Sequence, residues 1–217
     1  MALQSRSAVI ALQAAQAAKQ KTVGVVLYPG FELLDACGPL EMWGNVAELR
    51  LVTVSQRSGR VNSIQGVALV ADHSFADCPE LDLLMVPGGM GTLKELENEA
   101  FLAFLRERSE RAELTTSVCS GSALLAKAGL LDGRKATSNK LWFDLAVKQS
   151  GAVEWVYEAR WVDDGEFVTS SGVSAGMDMA LHVIERLYGK ARAEQVAAWT
   201  EYQWHRDPSV DPFAKKR

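Results

Sequence analysis

Short apolar runs, most of them closed by glycine or proline, alternate along this chain with stretches whose apolar residues recur every three or four positions. TVGVVLY over residues 22–28, ended by Pro29-Gly30, is the first such run, and its β-branched content predicts a strand buried on both faces. Gly38-Pro39 opens a helical segment through Val46, because a proline in the first turn gives up an N–H that has no helical partner there. LRLVTVS from Leu49 predicts a second buried strand, and VNSIQGVALVAD, with Gly66 inside it, a hairpin excursion. LDLLMVPGG over 81–89 is a third buried strand, followed by a helix over 93–111 on which Phe101, Leu102 and Leu105 share a face.

The stretch ELTTSVCSGSALLAKAGLL predicts a strand over 114–118 and a helix over 120–128 that Gly129 stops. Cys119 therefore sits at the turn between them. A short strand over 134–137, a helix over 141–149, a hairpin around the Asp164-Gly165 turn and helices over 175–187 and 191–199 complete the pattern. Strands alternating with helices predict an α/β fold with a mostly parallel sheet sandwiched by helices. The domain is expected over 22–204, with an N-terminal helical extension over 1–21 and a polar C-terminal tail over 205–217.

At 217 residues, 48% apolar and 23% charged, the chain can bury one sizeable core. A net charge of -4 offers no basic face for a nucleic acid or an anionic membrane, so a small-molecule substrate is expected instead. Cys37, Cys78 and Cys119 are an odd, widely spaced set, which suits neither a disulfide framework nor a zinc site. Reduced thiols, a cytoplasmic location and no metal or organic cofactor are the expectation. The first 21 residues resemble a secretory leader only superficially, since Gln13, Gln16, Lys19 and Gln20 interrupt any apolar core, and no run reaches the roughly 20 residues that span a bilayer.

Parallel sheets bind ligands at the carboxyl ends of their strands, and Cys119 falls at such an end. A thiol at a helix start feels the positive end of the helix dipole, which is expected to lower its pKa and make it a nucleophile, although a cysteine there can also be a small buried hydrophobe. Small residues around it, Ser117 and Ser120 to Ser122, suit a crowded nucleophile elbow. Gly88 and Gly89, in PGGMG, let backbone approach a ligand and expose N–H groups to an anion, or else form a plain turn. Asp35, just beyond the first strand, is placed to exchange protons with the thiol or to cap the helix near Pro39.

Taken in order, FELLDACGPLEMW, DLLMVPGGMG and SVCSGSALLAKAGLLDGRKAT resemble the ThiJ/PfpI superfamily of class I glutamine amidotransferase-like proteins, as do SFADCPELD and SSGVSAGMDMAL. The likeness covers about residues 22–200 and implies a flavodoxin-like fold, a homodimer, Cys119 as nucleophile, and the N–H groups of Gly89 and Ser120 as an oxyanion site beside Gly88. Asp35 in its LDxxGP context is similar to the isocyanide hydratases and to the amidotransferase-like domains of AraC-type regulators, whereas the deglycase and glyoxalase-like branch usually carries Glu there. The resemblance thus implies hydration of an isocyanide to an N-substituted formamide through a covalent thioimidate, with Cys119, Asp35 and Ser120 as the catalytic set. Glyoxalase, deglycase or amidase-like chemistry at the same cysteine, or a ligand or redox sensor without turnover, are the competing expectations. Relatives often have a His where this chain reads Ala136-Thr137-Ser138-Asn139, so no Cys/His dyad is expected, and His73, His182 and His205 are read as structural or solvent-exposed. Asp178 is read as a structural first-turn carboxylate.

Overall fold

The computed structural model describes residues 20–214. The extension expected over 1–21 therefore lies outside the described residues as far as residue 19, and Lys21 already belongs to the first strand.

Strands β1 (Lys21–Val26), β2 (Leu49–Ser55), β5 (His73–Ser74), β6 (Leu83–Val86), β7 (Leu114–Val118), β10 (Trp161–Asp164) and β11 (Phe167–Ser170) form one seven-stranded sheet in the order β10-β11-β7-β6-β1-β2-β5. Every neighbouring pair is parallel except β10 with β11, the hairpin whose turn carries Gly165 at φ 72°. The excursion after β2 is a hairpin of β3 (Gly59–Asn62) and β4 (Ala68–Ala71), and β8 (Lys135–Ala136) pairs with β9 (Glu154–Trp155) apart from the main sheet.

Helices α1 (Leu33–Gly44), α6 (Ala175–Tyr188) and α7 (Lys190–Trp199) pack on one another, while α2 (Thr92–Glu95), α3 (Glu99–Arg111), α4 (Gly121–Lys127) and α5 (Phe143–Val147) form a second packed group. Between two helical layers the central strands have no wet face, which is why Val23, Val25 and Val26 in β1 and all of Leu83–Val86 are fully buried. Each such side chain stabilises the fold by roughly 1.5–3 kcal/mol. No helix among the described residues is long and apolar enough to cross a membrane.

Two predicted helices differ in extent. α1 starts at Leu33 and contains Pro39, so proline is not in its first turn. Its missing N–H leaves the Asp35 carbonyl without the usual helical donor, and packing of α1 against α6 holds the turn together. The helix expected over 93–111 is broken between α2 and α3, where the Asn98 side chain accepts from the Phe101 N–H at 3.3 Å and caps a new helix.

The described part of the C-terminal tail, as far as residue 214, is docked rather than loose. Pro208 accepts from the Arg160 N–H at 2.8 Å, and Asp211 donates its N–H to Glu158 at 2.9 Å.

Candidate active site

The chain leaves β1 toward β2 on one side and β6 toward β7 on the other, so their loops part and open a crevice at the carboxyl ends of the strands. Asp35 enters from α1 after β1, Gly88 from the end of β6, and Cys119 from the end of β7. The three lie together because the glycines permit it. A Cβ on Gly88 would stand 2.5 Å from the Ser120 nitrogen and 2.9 Å from Cys119 Cβ, and one on Gly121 would stand 2.2 Å from the Val86 carbonyl oxygen.

Cys119 occupies the left-handed region at φ 58°, a strained conformation costing about 1–3 kcal/mol. It is held there by the strand beside it, its N–H donating to the Ser170 and Ser171 carbonyls at 3.2 and 3.1 Å. The result is a nucleophile elbow whose sulfur reaches the wall of a cavity of about 240 Å³. Met90, Leu93, Leu141, Trp142, Leu145 and Val173 make that cavity largely apolar, and Glu32 and Asn139 add polar groups.

Asp35 is fully buried beside this cysteine. Its Oδ2 accepts the Gly88 N–H at 2.9 Å, while Oδ1 has no close hydrogen-bond partner. The Cys119 thiol acts on the same carboxyl through a weaker hydrogen-bonding interaction. Burial without a cation raises the Asp35 pKa from 3.8 to about 8, against the pull of the Gly88 N–H.

The ionised thiol expected from the helix dipole is not what the structure gives. Burial and the nearby Asp35 charge push the Cys119 thiol up, outweighing the Ser120 N–H and the Asn139 amide that draw it down. The helix is only seven residues long and its start is buried, so desolvation prevails over the dipole. The pair therefore stores protons, on sulfur and on carboxyl, rather than a standing thiolate.

Of the expected anion donors, the Gly88 N–H is engaged with Asp35, and the Gly89 N–H donates to Ser120 Oγ at 3.0 Å. Ser120 Oγ also lies 3.0 Å from Thr92 Oγ1, so its hydroxyl ties the turn after β7 to the segment after β6. The Ser120 backbone N–H and, to a lesser extent, its side chain act on the sulfur.

Asn139 is the residue that reading the sequence missed. Its Nδ2 donates to Cys119 Sγ at 3.1 Å, and its Oδ1 accepts the N–H groups of Leu141 and Trp142 at 2.9 and 3.1 Å, which fixes the amide's orientation. The segment in which the resemblance raised the question of a histidine thus supplies a neutral donor. No histidine lines the cavity: His182 pairs with Asp163 at 2.8 Å, His73 lies 3.9 Å from Asp77, and His205 donates its backbone N–H to Asp178. Cys37 is half-buried, and Cys78 anchors its loop by donating to the Pro79 carbonyl at 3.4 Å.

Residues 21–186 match the model of the DJ-1/PfpI family. The chain belongs to that family. It is 36% identical to an isonitrile hydratase of Pseudomonas putida over 83% of this chain and 78% of that protein. It is 29% identical to the HTH-type transcriptional regulator GbdR of Pseudomonas aeruginosa over 84% of this chain, spanning 51% of the regulator's length. The crystal structure of a ThiJ/PfpI family protein from Pseudomonas syringae superposes with a TM-score of 0.78 at 36% identity, covering 85% of this chain and 76% of the other. The flavodoxin-like α/β architecture is thereby shown for this DJ-1/PfpI protein, whose relatives include both an enzyme and a regulator.

Proposed function

We propose that this DJ-1/PfpI protein hydrates an isocyanide to an N-substituted formamide, with Cys119 as nucleophile and Asp35 as proton carrier. The observation that carries the reading is a buried carboxyl without a counter-cation, raised to about 8, next to a thiol that opens on an apolar cavity. The terminal carbon of an isocyanide bears a lone pair, and once protonated it becomes strongly electrophilic. Such a substrate needs a neutral acid and a soft nucleophile side by side.

In the first step the Asp35 carboxyl gives its proton to the isocyanide carbon, Cys119 sulfur bonds to that carbon, and the thiol proton passes to Asp35. The product is a thioimidate, R–N=CH–S–Cys119. Water then adds to the same carbon, with Asp35 taking a proton from water and returning one to nitrogen. Breaking of the C–S bond releases the formamide while the hydroxyl proton returns to sulfur, so one water is consumed and both protein groups are restored. Asn139 Nδ2 and the Ser120 N–H hold the sulfur as charge appears on it. Gly88 and Gly89 serve by holding Asp35 and the Ser120 hydroxyl in place.

The similarity to the Pseudomonas putida hydratase supports the same reading. Its test is formamide production from alkyl and aryl isocyanides, with intact-mass measurement of the adduct. Cys119→Ala is expected to form no adduct and to lose on the order of 10⁴-fold or more in rate. Undiminished formamide production by that variant, or no turnover of any isocyanide by the wild-type chain, removes the proposal.

A further inference from the structure

A second cavity, of about 580 Å³, lies at the carboxyl end of β2 and shares no lining residue with the one at Cys119. Ser55 ends the strand there, Arg57 comes from the turn after it, Arg60 from β3 and Lys94 from α2, and Pro29 and Asn62 also line the cavity. Arg57, Arg60 and Lys94 have no acidic partner among the described residues. Surface cations elsewhere are commonly paired, as in Arg134 with Glu166, Arg192 with Glu48 and Arg206 with Glu194. Arg60 uses only Nε, toward Asn62 Oδ1 at 3.3 Å, and leaves the outer fork of its guanidinium free. Ser55 is 5% exposed, and its hydroxyl has no hydrogen-bond partner among the described residues although it lines this wall.

Three cations facing one cleft repel each other, and on a chain of net charge -4 that concentration is local, not a general excess of base. A single planar carboxylate is satisfied by one arginine fork. Cations arriving from separate elements, with the Ser55 side chain in the same wall, match an anion that presents oxygens in several directions. We infer that this cavity binds a multiply charged phosphate-type oxyanion, with Arg57 and Arg60 gripping its oxygens, Lys94 supplying a third charge and Ser55 donating from the floor. The α2 segment joins the two cavities, since Leu93 lines one and Lys94 the other. An anion held by Lys94 therefore braces one wall of the Cys119 pocket.

Calorimetric titration of the full chain with inorganic pyrophosphate and with orthophosphate, at constant ionic strength set by chloride, tests this. Saturable one-to-one binding of pyrophosphate is expected, weakened about tenfold or more by Arg60→Gln and abolished in Arg57→Gln/Arg60→Gln/Lys94→Gln. Lys127→Gln, an exposed position on α4 outside this cavity, is expected to bind as the wild type does. The triple variant should melt at the wild-type temperature without anion and lose only the rise that pyrophosphate produces. Its iodoacetamide reaction at Cys119 should also be unchanged, which separates this site from the proposed hydratase. Absence of saturable binding, or equal weakening by Lys127→Gln, overturns the inference.

Discussion

Asp35 and Asp178 are both fully buried carboxyl groups in the first turn of a helix, yet their surroundings are opposite. Asp178 accepts Arg160 Nε at 2.7 Å, sits 2.6 Å from Arg160 Nη2, and also accepts the Tyr202 hydroxyl at 3.1 Å and the His205 N–H at 2.9 Å. Behind the guanidinium lies Asp211, 3.8 Å away, itself 3.7 Å from the Lys140 ammonium. Asp35 receives one backbone N–H and no cation. Burial costs both groups their hydration. Near Asp178 the loss is offset by a counter-charge and hydrogen bonds, which makes a structural clamp on the C-terminal tail. Near Asp35 it is relieved by holding a proton, which makes a proton store beside a nucleophile.

The largest effect expected from breaking this contrast is on activity, at Asp35. Asp35→Asn keeps the shape and removes the transferable proton, so formamide production should fall by about 10²–10⁴-fold. The wild-type rate should itself decline as pH rises through about 8, where the carboxyl loses its proton. Lys140, pushed down to about 8 by burial, titrates in the same range, so a profile of residual activity in Asp35→Asn that no longer bends near 8 identifies the group. Stability carries the same sign. A carboxyl whose folded-state value rises from 3.8 to about 8 contributes fully below 3.8 and loses that contribution progressively as pH climbs to 8. Unfolding free energy of the wild type relative to Asp35→Asn should therefore fall between pH 5 and 9, and a constant difference would show that Asp35 is not the buried acid described.

At Asp178 the consequence is reversed. Asp178→Asn leaves the Arg160 guanidinium buried without its nearest counter-charge and should destabilise the fold by about 3–5 kcal/mol in denaturant titration. The remaining folded protein should keep its pH profile. A variant that unfolds normally but loses turnover would mean that the cluster belongs to the chemistry, and the division between the two carboxyls would fail.

Much of this was legible in the order of residues. The buried runs announce the parallel strands, and LTTSV followed by CSGSALL puts Cys119 at an elbow because a strand period gives way there to a helix period. Asp35 was legible by its place after the first strand, but its environment was not. Pro39 suggested a later helix start, and the tertiary packing of α1 on α6 overrode that local preference. The ionisation of Cys119 was misread for a related cause, since a dipole argument uses chain neighbours while desolvation depends on everything folded over them. The folded chain makes both Asp178 and Asp35 first-turn acids, and what sets them apart, Arg160 with Tyr202 and His205 around Asp178, comes from residues far from either in the chain. Asn139 carried no signal of its own, because it reaches the sulfur by a loop 20 residues further along the chain.

The smallest expected effect sharpens the contrast from the sulfur side. Asn139→Ala removes one neutral donor to Cys119 and, with it, the acceptor that organises the Leu141 and Trp142 N–H groups. A net hydrogen bond of this kind is worth about 0.5–1.5 kcal/mol, so both formamide production and iodoacetamide alkylation of Cys119 should slow by up to roughly tenfold. The two rates decide what the amide does. If both fall together, Asn139 eases charge onto the sulfur. If KM rises while alkylation is unchanged, its contribution is the placement of Leu141 and Trp142 in the apolar wall, and Asp35 and Ser120 are the polar neighbours that govern how the thiol gives up its proton.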